Sequence, residues 1–218
     1  MHDLYAAALR SMRRPGGVRH WYSRWEDGER SSLGAQLHRW CGPADPTDLA
    51  LLRRSHGMVL DVGCGPGRLV TELTRQRRQT AGVDTSAAAV ALARRTSAAV
   101  FHRSVFDPLP GEGRWDTVLL ADGNVGIGGD PVALLARCRE LIDPRGTILA
   151  ELRTGATGLR TGLLRLESDT QNGGWFPWAD LGPDAIDGAA RAAGLHVDDA
   201  WQHHGRSFAA LSLVRGRG

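Results

Sequence analysis

The segment Leu60-Asp61-Val62-Gly63-Cys64-Gly65-Pro66-Gly67 limits what this chain can fold into more than any other stretch. An apolar run, 58–62, breaks directly into glycines spaced two apart, and apolar residues at helical spacing then follow to about residue 75. Glycine at these places lets the backbone turn sharply and lets a ligand lie against the main chain. Pro66 suits the first turn of a helix, where its missing N–H costs nothing. The segment therefore predicts strand, tight turn and helix, the first half of a βαβ unit. About 20 residues further on, Asp84 ends a second apolar run, 80–84, where a carboxylate can accept hydrogen bonds from both hydroxyls of a ribose. Turn and acid together point to an adenosine-containing cofactor.

Strands and helices alternate from residue 58 onward. Strands are expected at 58–62, 80–84, 98–101, 117–121 and 146–152, with helices to about 75, from Ser86 to 93 and from Pro131 to 141. Connections of that length argue for parallel pairing with both faces covered. A helix at 184–193, closed by Gly194, then leads to strands at 195–201 and 207–214. Only residues 202–205 join them, which forces an antiparallel pair. The expected fold is α/β: a doubly wound, mostly parallel seven-stranded sheet with a C-terminal antiparallel hairpin, plus a small N-terminal cap.

The cap is expected over residues 1–45, on the substrate side, and the cofactor-binding domain over 46–218. Within the cap the sequence predicts a helix at 4–12, a strand at 18–25 and a hairpin turn at Glu26-Asp27-Gly28-Glu29. Prolines between 43 and 46 break the chain, and Thr47 or Asp48 would cap a helix through Arg54.

Composition removes several function classes. All 27 basic residues are arginine, so no lysine Schiff base, P-loop lysine or kinase-type lysine can operate. The arginines are scattered, as coding bias would leave them, although the pairs Arg77-Arg78 and Arg94-Arg95 keep a nucleic-acid surface in play. Cys41, Cys64 and Cys138 are too few and too far apart for a disulfide framework or a zinc cluster. The opening residues lack a signal-peptide core, and no segment approaches membrane-spanning length. The expected location is cytoplasmic.

Residues 61–67 resemble the first motif of the class I S-adenosylmethionine-dependent methyltransferases almost position for position, and the likeness runs over about 49–214. The pattern is GxGxG, with Arg68 where a dinucleotide-binding turn takes a third small residue. The resemblance implies a Rossmann-like methyltransferase fold, S-adenosyl-L-methionine as cofactor, S-adenosyl-L-homocysteine as product, and no metal. Carried onto this sequence, it sets Asp61 near the methionine ammonium and Gly63, Cys64, Gly65 and Gly67 beneath the methionine and ribose. It sets Asp84 on the ribose, Thr85 beside the adenine, and Ser104 with the Val105 backbone N–H at the adenine amine. The family often has an acid at the Ser104 position, and Asp107 is the nearest substitute.

Methyl transfer from a sulfonium asks the protein for alignment, exclusion of water and sometimes a base. Asp122 and Asn124 follow the fourth strand, at the end where ligands bind in such sheets. Asp122 would act as a base or hold the cofactor ammonium, and Asn124 would hold a substrate heteroatom; both also suit a plain glycine-rich turn. His204, with His203 and Arg206, belongs to the terminal hairpin at the pocket rim. His204 is the second candidate base, Arg206 a candidate substrate contact, and His20 has a similar claim from the cap.

Tryptophan is over-used: seven residues, against two tyrosines and four phenylalanines. Trp175-Phe176-Pro177-Trp178 stands where the family often inserts a substrate lid. With Trp21, Tyr22, Trp25 and Trp40 it would wall an apolar pocket. Tyr22 and Trp175 are the expected substrate contacts, while Trp40 and Trp178 also suit packing. The leading expectation is methylation of an O, N or C atom of a small molecule, set in bacterial secondary metabolism. RNA or protein methylation stays open, as does a non-catalytic S-adenosylmethionine-binding partner protein. The oligomeric state does not follow from the sequence.

Overall fold

The computed structural model describes residues 4–12, 20–96 and 99–214. The chain begins with α1 (Leu4–Ser11), β1 (Trp21–Trp25), β2 (Arg30–Ser32), α2 (Gly34–Cys41) and α3 (Pro46–Arg54). It continues through β3 (Val59–Val62), α4 (Arg68–Arg75), β4 (Thr80–Asp84), α5 (Ala87–Ala93), β5 (Val100–His102) and β6 (Trp115–Leu120). After α6 (Pro131–Leu141) and β7 (Ile142–Leu152) come β8 (Leu159–Ser168) and β9 (Phe176–Leu181). The last elements are α7 (Ile186–Ala192), β10 (Leu195–His203) and β11 (Arg206–Leu213).

Seven strands form the central sheet in the order β10-β11-β7-β6-β3-β4-β5. Strands β3 to β7 pair in parallel, whereas β11 pairs antiparallel to both β7 and β10. This is the mostly parallel sheet with a terminal hairpin that the sequence predicts. Period-two alternation divides its core. Val59, Leu119 and Leu149 pack with Leu51 and Leu52 of α3 and Leu69 and Leu73 of α4. Their neighbours Leu60, Val118 and Ile148 pack on the other face with Leu134 and Leu135 of α6 and Ile186 of α7. Each such leucine contributes about 1.5–3 kcal/mol on burial. Chain order reverses between β3 and β6, so the crevice for a ligand opens at their carboxyl ends.

A second sheet, β2-β1-β8-β9, is antiparallel throughout. The sequence pattern assigns no strand between 152 and 184, and the structure corrects this with β8 and β9. The missed signal is visible in β8, where Leu164 and Leu166 alternate with Arg165 and Glu167. Strand β1 carries β8 on one side and β2 on the other, with Trp21 opposite Ser168 and Trp25 opposite Leu164. Helices α1 and α2 lean on this sheet through Leu4, Ala8, Leu37 and the ring of Trp21.

Smaller corrections concern element ends. Asp45, not Thr47 or Asp48, caps α3. Its carboxylate accepts the Asp48 N–H at 2.8 Å, the Asp48 carboxylate accepts the Asp45 N–H at 2.9 Å, and Pro46 fills the first helical position. Residues 18, 19 and 98, at the ends of two expected strands, lie outside the described residues. Among the described residues no helix is long and apolar enough to cross a membrane.

Candidate active site

The turn after β3 is held from three sides. The Gly63 and Cys64 N–H groups both donate to the Val83 carbonyl, at 2.8 and 3.1 Å, which ties the turn to β4. Gly63 and Gly65 take φ of +69° and +53°, a region costing other L-residues about 1–2 kcal/mol. A Cβ on Gly63 would lie 2.6 Å from Asn124 Nδ2, and one on Gly65 would lie 3.0 Å from the Tyr5 hydroxyl. Asn124 donates its amide to the carbonyls of Val62 and Gly63, at 2.8 and 2.9 Å. Its nitrogen therefore braces the turn, though the residue also lines the cavity. The Cys64 side chain packs back onto Val70, Val90 and Ala93, and burial raises its thiol pKa far above the usual value. Only the backbone of Cys64 is left for a ligand.

A cavity of about 950 Å³ extends from this turn to the second sheet. Asp84 lines it while accepting the N–H groups of Gly65 and Ser86, at 2.8 and 2.7 Å. Thr85, Ser104 and Val105 line the same end. Asp107 instead caps its own turn by accepting the Ser104 N–H at 3.1 Å, and it stays outside the cavity lining. Asp61 is 2% exposed, and no hydrogen bond or ion pair reaches its carboxylate among the described residues. Burial, then the charges of Asp122 and Asp84, raise its pKa well above the carboxylate range. An uncompensated buried carboxylate is costly, and a ligand ammonium would relieve it. Tyr5 projects from α1 over the turn. Burial first, and then Asp84, hold its phenol well above the usual pKa, so it stays neutral and able to donate.

At the carboxyl ends of β6 and β7 the cavity floor is an ionic network. Asp122, at φ +56°, donates its N–H to Glu151 at 2.6 Å. Its carboxylate meets Arg68 of α4 at 2.5 Å and Arg39 of α2 at 2.9 Å. Arg206 clasps Glu151 at 2.6 Å and Asp48 at 2.9 Å, and Asp48 also pairs with Arg68, whose side chain is 3% exposed. With Arg206 a third at 3.7 Å, Asp122 is thus committed to three guanidinium groups, a poor arrangement for a base. Arg206 lines the cavity as expected, but as a member of this network.

Other expected substrate contacts fall elsewhere. On β1, Ser23 and Trp25 face the cavity; Tyr22 points to the opposite face, beneath the Arg30 guanidinium at 3.4 Å. Trp175 is 42% exposed under Arg165, while Trp178, for which the sequence allows both a pocket-wall and a packing role, lines the cavity. His204 is exposed on the terminal turn and stacks on His203 at 4.3 Å. His20 is exposed beside Asp169. None of these histidines lines the cavity. Sequence reasoning missed Tyr5, Arg39, Arg68, Glu151 and Asp180. Of these, Glu151 and Arg68 carried a signal: a charge near the end of an apolar strand, and a charge where the turn wants a small residue.

Residues 59–146 match the family model described as a methyltransferase domain. No curated protein matches by sequence. Among solved structures, the chain is similar to a SAM-dependent methyltransferase from Bacteroides fragilis in complex with S-adenosyl-L-homocysteine. The TM-score is 0.78 at 19% identity, covering 98% of this chain and 95% of that one. It is also similar to the Burkholderia thailandensis 1,6-didemethyltoxoflavin-N1-methyltransferase, solved with its substrate and S-adenosylhomocysteine (TM-score 0.52, 22% identity, 74% of this chain and 72% of that one). A third likeness is to an O-methyltransferase from neocarzinostatin biosynthesis in complex with S-adenosyl-L-homocysteine and 1,4-dihydroxy-2-naphthoic acid. There the TM-score is 0.55 at 23% identity, over 72% of this chain and 49% of that one.

Proposed function

From a chain that carries a methyltransferase domain on the class I fold, we propose an enzyme that methylates an O, N or C atom of a small molecule with S-adenosylmethionine. The observation that carries the cofactor assignment is Asp61, a buried carboxylate without a cation beneath a glycine turn open to ligand. Bound there, the cofactor would supply a methyl group already activated on a sulfonium. Asp61 would hold the methionine ammonium, Asp84 the ribose, and the Val105 N–H with Ser104 the adenine edge. Tyr5 would close the turn from above.

The substrate side is assigned to the cap of residues 1–45 joined by β8 and β9, and the cofactor side to the remainder of 46–218. A small-molecule acceptor is supported by the concave cavity and by the small aromatic substrates of two structural neighbours. A role in bacterial secondary metabolism is in keeping with the neighbour from neocarzinostatin biosynthesis. Two arginines that suggested a nucleic-acid surface make hydrogen bonds within the chain. Arg78 donates to the Leu52 carbonyl and Ser55, and Arg94 donates to the Val100 carbonyl.

Calorimetry with S-adenosylmethionine and with NAD tests the assignment. Binding of S-adenosylmethionine alone is expected, and a preference for NAD would overturn it.

A further inference from the structure

Among the described residues five carboxylates line the cavity, and three are already engaged. Asp84 accepts two backbone N–H groups, and Asp122 and Glu151 hold guanidinium groups at 2.9 Å or less. Asp61 lies beneath the cofactor turn. Asp180 is left. Among the described residues its nearest cation is Arg153, at 3.8 Å and itself half exposed.

Strand geometry aims Asp180 inward. Along β9, Phe176, Trp178 and Asp180 alternate with the buried Ala179 and Leu181, and those three line the cavity. The strand is fastened to the carboxyl edge of the central sheet. The Arg153 N–H donates to the Leu181 carbonyl at 2.9 Å, Ile127 bridges to Trp178, and Gly126 lies directly against the Ala179 carbonyl. Asp180 therefore stands beside the ends of β6 and β7, where a methyl acceptor must sit.

Its surroundings define what it meets. Trp25, Leu164 and Phe176 form one row across three strands of the cap sheet, with Leu166 and Trp178 flanking it on the cavity wall. The Asp180 side chain is 22% exposed. Burial raises its pKa above the usual range; Glu29 adds to this, while Arg153, Arg160 and the Trp178 indole N–H oppose it.

Resting on the methyltransferase reading, we propose that Asp180 receives the hydrogen of the acceptor's nucleophilic O–H or N–H, and that the acceptor is a flat apolar ring: a phenol or an aromatic amine. As the heteroatom's lone pair bonds to the methyl carbon, the carbon–sulfur pair stays with sulfur and the heteroatom's proton passes to Asp180. A neutral acceptor then leaves as its neutral methylated product. The carboxyl group returns the proton to water.

Three probes on one ring system test this in protein saturated with S-adenosylhomocysteine: 2-naphthol, 2-naphthylamine and 2-methylnaphthalene. In the wild type, at least one of the two hydrogen-donating probes is expected to bind roughly tenfold tighter than 2-methylnaphthalene. That advantage is expected to vanish in Asp180→Ala and to shrink in the isosteric Asp180→Asn. Unchanged S-adenosylhomocysteine affinity shows that both variants are folded. The tighter of the two donors assigns phenol or amine. Equal binding of all three probes, no binding of any, or an undiminished preference in Asp180→Ala overturns the proposal. Failure of S-adenosylhomocysteine to bind the wild type sinks the methyltransferase reading instead.

Discussion

At the carboxyl ends of β3 and β4, one wall of the cavity is made from peptide groups that follow one another in the chain, with glycines where side chains would collide. Across from it, the cap wall is made from side chains on four strands drawn from two distant stretches, 21–32 and 159–181. The first wall can recognise what every ligand of its kind shares, a ribose and an amino-acid head, with a main-chain cradle that sets two carboxylates, Asp61 and Asp84, in fixed places. The second is set by individual side chains and can be retuned one residue at a time. A shared cofactor and a particular acceptor call for these two kinds of surface.

The network of Arg39, Arg68, Arg206, Asp48, Asp122 and Glu151 lies beneath both walls and gives the largest test of their separateness. Arg68→Met leaves Asp48 and Asp122 short of a buried partner. It is expected to cost about 3–5 kcal/mol in urea unfolding and to weaken binding at both walls. A loss confined to one ligand, with stability intact, would show that the network serves that wall alone.

Asp61→Asn sharpens the contrast from the cofactor side. It is expected to weaken S-adenosylmethionine binding by roughly ten- to a hundredfold while leaving the naphthalene probes unaffected. The sign with pH follows from the raised pKa of the empty protein. Asp61 favours the fold only while protonated, so its contribution falls as pH rises from the unfolded value of about 3.9 toward the higher folded one. A bound ammonium favours the ionised form, so binding should release a proton and tighten with rising pH until Asp61 is ionised in the empty protein. Calorimetry in buffers of different ionisation heat would detect that proton, and Asp61→Asn should abolish it.

The same contrast explains what could be read from the chain. Residues 58–67 announce strand, turn and cofactor because every part of that signal lies within a few residues. The cap wall has no such local signature: Trp25, Leu164 and Phe176 become neighbours only once β1 pairs with β8 and β8 with β9. Tryptophan count suggested an aromatic pocket but not which rings enter it. Strand parity decides that, turning Tyr22 out and Ser23 in. Asn124 and Asp122 were legible as site residues by position, but their duties depend on Gly63, Arg39 and Arg68, contacts that no spacing reveals.

The smallest effects are expected where sequence suggested function and the structure places exposed residues. His204→Ala should leave cofactor and probe binding unchanged. Trp175→Ala should lose no more than the Arg165 stacking contact, about 0.5–1 kcal/mol in unfolding, with binding intact. A large fall in acceptor binding for either would return the hairpin turn or the Trp175 loop to the site.

The contact between Gly126 and the Ala179 carbonyl bears on engineering acceptor scope. A Cβ on Gly126 would fall 1.9 Å from that oxygen, so here peptide touches peptide and the two sheets are pinned at a fixed gap. No substitution of a neighbouring side chain can move that pin without shifting the backbone. Attempts to admit a larger acceptor should therefore trim Phe176, Trp178, Leu164 or Leu166, which shape the room, and leave the pin between the sheets alone.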